Sequence, residues 1–166
     1  MKLYLPVFVC LTFCAFIYFA FRIEATVLNQ LILLFLSRES YLLYKTQAAA
    51  LITVNSFAIF SLPEGLWVFC ATALSAPFYI EFKARRINCI IIPLLFAISL
   101  EFMQLLHLTH GRFDWVDLVC SFAFWLSGYG VTSKLKGNTD LLSSVSHKSL
   151  ACYAIYLLVL LSYVKR

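Results

Sequence analysis

The sequence predicts an all-α membrane protein: a bundle of about four to five transmembrane helices with short connections and one longer outer loop. Three observations predict it. Hydrophobic residues make up 63% of the 166 residues and charged ones 13%, roughly half the charged share of a soluble domain. The apolar residues come in long runs instead of the narrow stripes of amphipathic helices. The basic residues gather at the ends of those runs, where they set orientation across a bilayer. The net charge of +5 therefore points to topology. There is no basic stripe interleaved with aromatics, so no nucleic acid is expected as a partner, and no cofactor is expected either.

Lys2 precedes an apolar run over residues 3–21, closed by Arg22. A cleaved secretory signal would end on small residues at A-x-A spacing. This run ends Tyr18-Phe19-Ala20-Phe21 and reads as an uncleaved first span. Residues 23–65 form the long connection. Within it, residues 27–36 are apolar but too short to cross, and Asn29 and Gln30 interrupt them, which suits an interfacial or re-entrant helix. Residues 48–60 either dip into the membrane or lie at its surface, with Asn55 and Ser56 needing partners.

Ser61-Leu62-Pro63-Glu64-Gly65 reads as a turn by its Pro and Gly. The second span then covers residues 66–80, reaching back to 62, with Trp67 at its start and Pro77 bending its far end. Ala71 with Ser75, and Thr72 with Ala76, are small residues four apart that let helices approach closely in lipid. Residues 81–86 are a compact basic loop, and residues 87–106 the third span. A polar connection over 107–115 leads to a fourth span at 116–131, where Ala123 and Ser127 form another small pair. Domain organisation follows: a transmembrane core over 1–135, a polar Ser-rich linker over 136–148, and an additional C-terminal transmembrane helix over 149–166.

Alternating spans put Lys2, Lys83, Arg85, Arg86, Lys134, Lys136 and Lys148 on one side. By the positive-inside rule that side is the cytoplasm. The N-terminus is then cytoplasmic, and the long connection and residues 107–115 face outward. The six cysteines (Cys10, Cys14, Cys70, Cys89, Cys120 and Cys152) form no C-x-x-C pair and read as packing groups.

Chemistry concentrates between Glu101 and Gly130. Glu101 is the acidic residue well inside a predicted span, and a carboxylate at membrane depth needs a partner, a proton or water. Gln104 follows three residues on, sharing its helix face. Arg112 could reach back towards Glu101 or grip a phosphate. Asp114 suits the N-cap of the fourth helix, which places Asp117 in its first turn. Asp117 is the better functional candidate of the two. His107 and His110 match no zinc-protease spacing and are read as polar trim, so no metal site is assigned. The candidate ligand-binding set is Glu101, Gln104, Arg112 and Asp117, with Glu101 and Asp117 the candidates for any catalytic role.

Glu101-x-x-Gln104, then Gly111-Arg112-x-Asp114-x-x-Asp117, then a span ending Gly128-Tyr129, resembles the VanZ-like membrane proteins of bacteria. Leu62-Pro63-Glu64-Gly65-Leu66-Trp67 resembles a segment of one branch of that family. The resemblance covers roughly residues 60–131. Ser121 and Phe124 stand where many such sequences carry Asn and Gly. The resemblance implies a small multi-pass protein of the cell envelope, in a family linked to glycopeptide antibiotic resistance.

Three functions follow as expectations. The first is an outward-facing polar pocket that binds a lipid headgroup or a lipid-linked cell-wall precursor. In an enzymatic version Glu101 or Asp117 acts as general base and Arg112 holds an anion. The second is a structural partner of another membrane protein without catalysis. The third is a small proton-coupled transporter using Glu101.

Overall fold

The computed structural model describes residues 4–24, 26–82, 85–108, 112–133, 137, 139–143 and 146–163. Among them are seven α-helices and a small sheet: α1 (Tyr4–Phe21), α2 (Val27–Phe35), α3 (Arg38–Ala50), α4 (Ser56–Ser75), β1 (Phe78–Phe82), β2 (Arg85–Asn88), α5 (Ile92–Leu105), α6 (Trp115–Thr132), β3 (Thr139–Asp140) and α7 (His147–Tyr163). His110, Gly111, Lys2, Lys83, Lys134 and Lys136, all singled out above, lie outside the described residues.

The protein is mostly helical, and α4 is its hub, packing against α1, α5, α6 and α7. Side-chain bonds give the directions. Cys70 and Cys14 donate to Val7 O (3.7 Å) and Pro63 O (3.6 Å), so α1 and α4 run antiparallel. Ser75, the last residue of α4, meets Tyr156 Oη at 3.0 Å, Cys152 packs with Phe78 beyond it, and Val159 reaches the core residues of α4, which runs α7 antiparallel to α4. Contacts of Gly65 with Cys120 and Phe124, and of Gly128 with Thr72 and Phe69, make α4 and α6 parallel. The shared core holds Val7, Trp67, Val68, Ala71, Leu74, Ala97, Leu100, Ile155 and Val159. Two helices, α1 and α4, are long and apolar enough to cross a membrane by length and composition.

The expected second span is shifted. Residues 61–65 are not a turn: they lie inside α4, which starts at Ser56 on an Asn55 cap whose side chain accepts from Ala58 N–H at 3.0 Å. Pro63 lacks only its own N–H, and the side chains of α1 and α6 close around this segment, so the helix continues through it. At the other end α4 stops at Ser75: Ala76 still has helical angles and donates to Thr72 O at 3.0 Å, and Pro77, which has no N–H, cannot extend the ladder. What read as the end of a span and a basic loop is a hairpin, β1 pairing antiparallel with β2 in the register Tyr79↔Asn88 to Phe82↔Arg85. The all-α expectation therefore misses a three-stranded sheet, ordered β2-β1-β3.

Residues 48–60 are not one element, since α3 ends at Ala50 and α4 begins at Ser56. The long connection instead packs over the end of α1. Asn29, fully buried on α2, donates to the carbonyls of Tyr18, Arg22 and Ile23 at 3.3, 3.4 and 3.0 Å. Lys45 on α3 donates to Arg22 O at 2.6 Å. These donors satisfy carbonyls that a helix C-terminus leaves open. They fix Arg22 at the end of the bundle where the polar side chains gather. Residues of the expected linker and C-terminal helix share the packing: Thr139 and Asp140 pair with β1, and Leu141 and Cys152 pack with Phe78 and Cys89.

Candidate functional site

The site is built where α4 and α6 begin and α5 ends. On α4, Glu64 lies within the Leu62–Trp67 segment and is 8% exposed. On α5, Glu101 is 1% exposed and Gln104, three residues on, is also buried. On α6, Asp117 is half-buried in the first turn, and Ser121 is buried one turn further. Acceptor oxygens of Glu64, Glu101 and Asp117 all lie within 4.8 Å of one another. Three helices, with carboxylates 37 and 16 residues apart in sequence, thus converge on one point.

Local chemistry explains how each is held. Asp114 is the N-cap of α6, as its position predicts, with Oδ1 accepting from Val116 N–H at 2.9 Å. Its own backbone N–H donates to Glu101 Oε2 at 3.2 Å. Glu101 therefore sits against the N-terminus of α6, where free amides and the helix dipole favour negative charge. The α4–α6 crossing brings Glu64 close to Asp117. A Cβ built on Gly65 would lie 2.8 Å from Cys120 Sγ and overlap the Phe124 ring. The large Phe124 is accommodated because its partner has no side chain. Cys120 Sγ also donates to Ser61 O at 3.4 Å, and the Ser61 side chain sits beside Asp117.

The polar atoms here are not all satisfied. Glu64 Oε1, Glu101 Oε1, Asp117 Oδ1 and Ser121 Oγ are each buried without a hydrogen-bond partner among the described residues. A buried acceptor left unpaired costs about 1–3 kcal/mol, and more when charged. Among the described residues, Arg22 is a cation whose guanidinium acts electrostatically on both Glu64 and Asp117. It is itself held over the Tyr18 and Phe60 rings (5.2 and 4.8 Å) and donates to Phe60 O at 3.3 Å. Among the described residues it forms no ion pair.

Of the candidate residues, the structure brings Glu101 and Asp117 together and places Gln104 on the same face of α5. Arg112 is exposed and makes no ion pair among the described residues. His107 is exposed in the turn that ends α5, and the acidic group does not include it. Sequence reasoning passed over Glu64 because Pro63 and Gly65 masked it as a turn residue. It also passed over Arg22, read as the closing charge of a span. A usable signal for Glu64 was Asn55, a helix cap eight residues ahead of Pro63. No family model, curated protein or solved structure matches the chain.

Proposed function

We propose that the protein is a multi-pass membrane protein of the VanZ-like kind, in the cell membrane with its N-terminus cytoplasmic. Its buried acidic centre forms an outward-facing pocket that binds the polar headgroup of a lipid or lipid-linked envelope precursor. The observation that carries this reading is the convergence of Glu64, Glu101 and Asp117 from three helices to within 4.8 Å. Glu64 from the Leu62–Trp67 segment, and Glu101 and Asp117 from the second stretch, all part of the family resemblance, meet at that one point. A centre of acceptors with unsatisfied oxygens suits a ligand that brings donors or positive charge.

Membrane insertion is supported by what the helices leave uncovered. Large apolar side chains stand exposed along the bundle, among them Phe8 (68%), Leu95 (55%), Val119 (68%) and Leu158 (65%). Apolar patches of that extent call for lipid or protein cover. The five longer helices α1, α4, α5, α6 and α7 alternate in direction and serve as the spans. Arg85 and Arg86 on the hairpin and Lys148 on α7 lie at the end remote from the acids, as a cytoplasmic face requires. The small pair Ala123 and Ser127 is exposed on α6 and is the face a membrane-protein partner would meet. A transporter using Glu101 is the less favoured reading, since Trp67, Val68, Ala97 and Leu100 pack into one apolar core.

The reading is tested by Glu64→Gln, Glu101→Gln and Asp117→Asn in a strain with a measurable envelope phenotype, at matched protein abundance. Loss of the phenotype in all three is expected. Full function in all three sinks the pocket.

A further inference from the structure

We propose that Glu64, Glu101 and Asp117 form a binding site for a divalent cation that prefers oxygen ligands: Mg2+, Mn2+ or Ca2+. The inference deepens the headgroup reading and rests on the same pocket, since a cation there would bridge the protein to a phosphate-bearing headgroup.

The donor set selects the ion class. Carboxylates and a hydroxyl are hard oxygen ligands, the kind that Mg2+, Mn2+ and Ca2+ take and that thiol-seeking metals do not require. The spacing also fits. Oxygens on opposite sides of a Ca2+ stand about 4.6–5.2 Å apart, and on opposite sides of a Mg2+ about 4.0–4.2 Å apart. The three acceptor atoms lie within 4.8 Å of one another, so a cation between them needs small side-chain adjustments and no movement of helices.

Charge points the same way. Ionised around a cation, the three carboxylates would carry three negative charges against one nearby guanidinium, that of Arg22 acting on Glu64 and Asp117, which leaves two to compensate. Asp114 is turned to its capping bond with Val116, and its backbone N–H already serves Glu101 Oε2. A divalent ion balances the remainder.

The independent observation is Ser121. Four residues after Asp117, it lies on the same face of α6. It is 1% exposed, and its Oγ has no partner among the described residues. Two other buried hydroxyls bond a local carbonyl: Thr72 donates to Val68 O at 2.7 Å and Thr132 to Gly128 O at 2.7 Å. Ser121 does not, so its oxygen stays unpaired one helical turn from Asp117. Glu64 Oε1 and Glu101 Oε1 are likewise unpartnered on residues more than nine-tenths buried. A cation with these ligands keeps open positions for the oxygens of a phosphate, as Mg2+ sites commonly do.

The test uses the full chain in lipid nanodiscs, stripped with EDTA and titrated with Mn2+ under electron paramagnetic resonance. A saturable Mn2+ site displaced by Mg2+ or Ca2+ is expected. Glu101→Gln and Asp117→Asn should weaken it by more than the roughly 10–100-fold that outer-shell changes alone produce. Glu24→Gln, at the exposed pair with Arg38, should leave it unchanged. No saturable signal below about 1 mM, the weak end of protein Ca2+ sites, overturns the proposal. Unchanged binding in both carboxylate variants overturns it too. Should those variants fail to fold, Fe2+ with ascorbate and peroxide maps the wild-type site by backbone cleavage. Cuts near residues 64, 101 and 117 support the proposal, and cuts elsewhere or none overturn it. Photo-crosslinking to an anionic phospholipid, with and without EDTA, separates the two readings. Crosslinking without Mn2+ binding removes the cation and keeps the headgroup. Mn2+ binding without crosslinking does the reverse.

Discussion

The two ends of the α4–α6 pair use the same packing device and treat their polar groups in opposite ways. At one end Gly65 admits Cys120 and Phe124; at the other Gly128 admits Thr72, with a built Cβ 3.0 Å from Thr72 Cβ and 3.3 Å from Phe69 O. Around Gly128 the buried polar groups are closed on themselves. Thr72 and Thr132 bond carbonyls of their own helices, and Ser75 bonds Tyr156 and lies 3.4 Å from Cys152 Sγ. Around Gly65 four buried oxygens have no partner among the described residues. The closed end is architecture. The open end has the same close-packed walls but acceptors directed at something the chain does not supply. The difference lies in satisfaction of hydrogen bonds, because the oxygens without partners at the open end are themselves buried.

The largest expected effect breaks the packing that the two ends share. Gly65→Ala places a methyl group into the Phe124 ring and 2.8 Å from Cys120 Sγ. Overpacking of a close crossing costs about 1–3 kcal/mol. Gly128→Ala meets the Thr72 side chain at 3.0–3.1 Å, a milder conflict. Reversible unfolding in detergent should show Gly65→Ala losing more stability than Gly128→Ala, and a second change, Phe124→Leu, should recover part of the Gly65→Ala loss. Equal losses at the two glycines would contradict the tighter approach at the acidic end.

A second comparison separates architecture from function directly. Ser75→Ala leaves the Tyr156 hydroxyl without its 3.0 Å partner and should lower stability by about 1–2 kcal/mol with the envelope phenotype intact. Glu64→Gln should do the reverse. It replaces a buried carboxyl whose Oε1 has no partner and so leaves stability unchanged or raises it, while the phenotype is lost. Thermal unfolding of both variants beside the phenotype assay decides the matter. If both variants behaved alike, the distinction between the ends would collapse.

How much of this was legible in the sequence follows from the range of the interactions involved. The apolar runs locate α1, α5, α6 and α7 because run length is a local property, and Asp114 declares its capping role through its place before an apolar segment. The start of α4 was hidden because Pro63 and Gly65 are read by their behaviour in water, where they break helices. Here Gly65 is the crossing point itself, and the packed helices around Pro63 hold the segment helical. The hairpin was hidden behind its charges, although Phe78, Ile80 and Phe82 alternate as a strand requires. The site was legible in part. Glu101 and Asp117 stand out by chemistry, but Glu64 and Arg22 join them only through helix pairing across long stretches of sequence, and no local pattern encodes that.

The smallest expected effect concerns the turn that leads from Glu101 to the α6 cap. His107 has φ of +57°, in the left-handed region that a side chain disfavours. The backbone bonds explain why it is held there. Leu106 N–H reaches Phe102 O at 3.0 Å, His107 N–H reaches Gln104 O at 3.0 Å, and Leu108 N–H reaches Met103 O at 2.9 Å. That is the Schellman ending of a helix, whose turning residue is ordinarily glycine. His107→Gly relieves about 1–2 kcal/mol of backbone strain, against about 0.5–1 kcal/mol of added chain entropy in the unfolded state. A net gain of about 0–1.5 kcal/mol is expected, read as a small rise in unfolding midpoint. The imidazole is exposed and bonds none of the acids, so Mn2+ affinity and the envelope phenotype should stay at wild-type level. A loss of either would mean that His107 belongs to the acidic end after all, and that the unsatisfied oxygens there are served in part by a side chain from the turn.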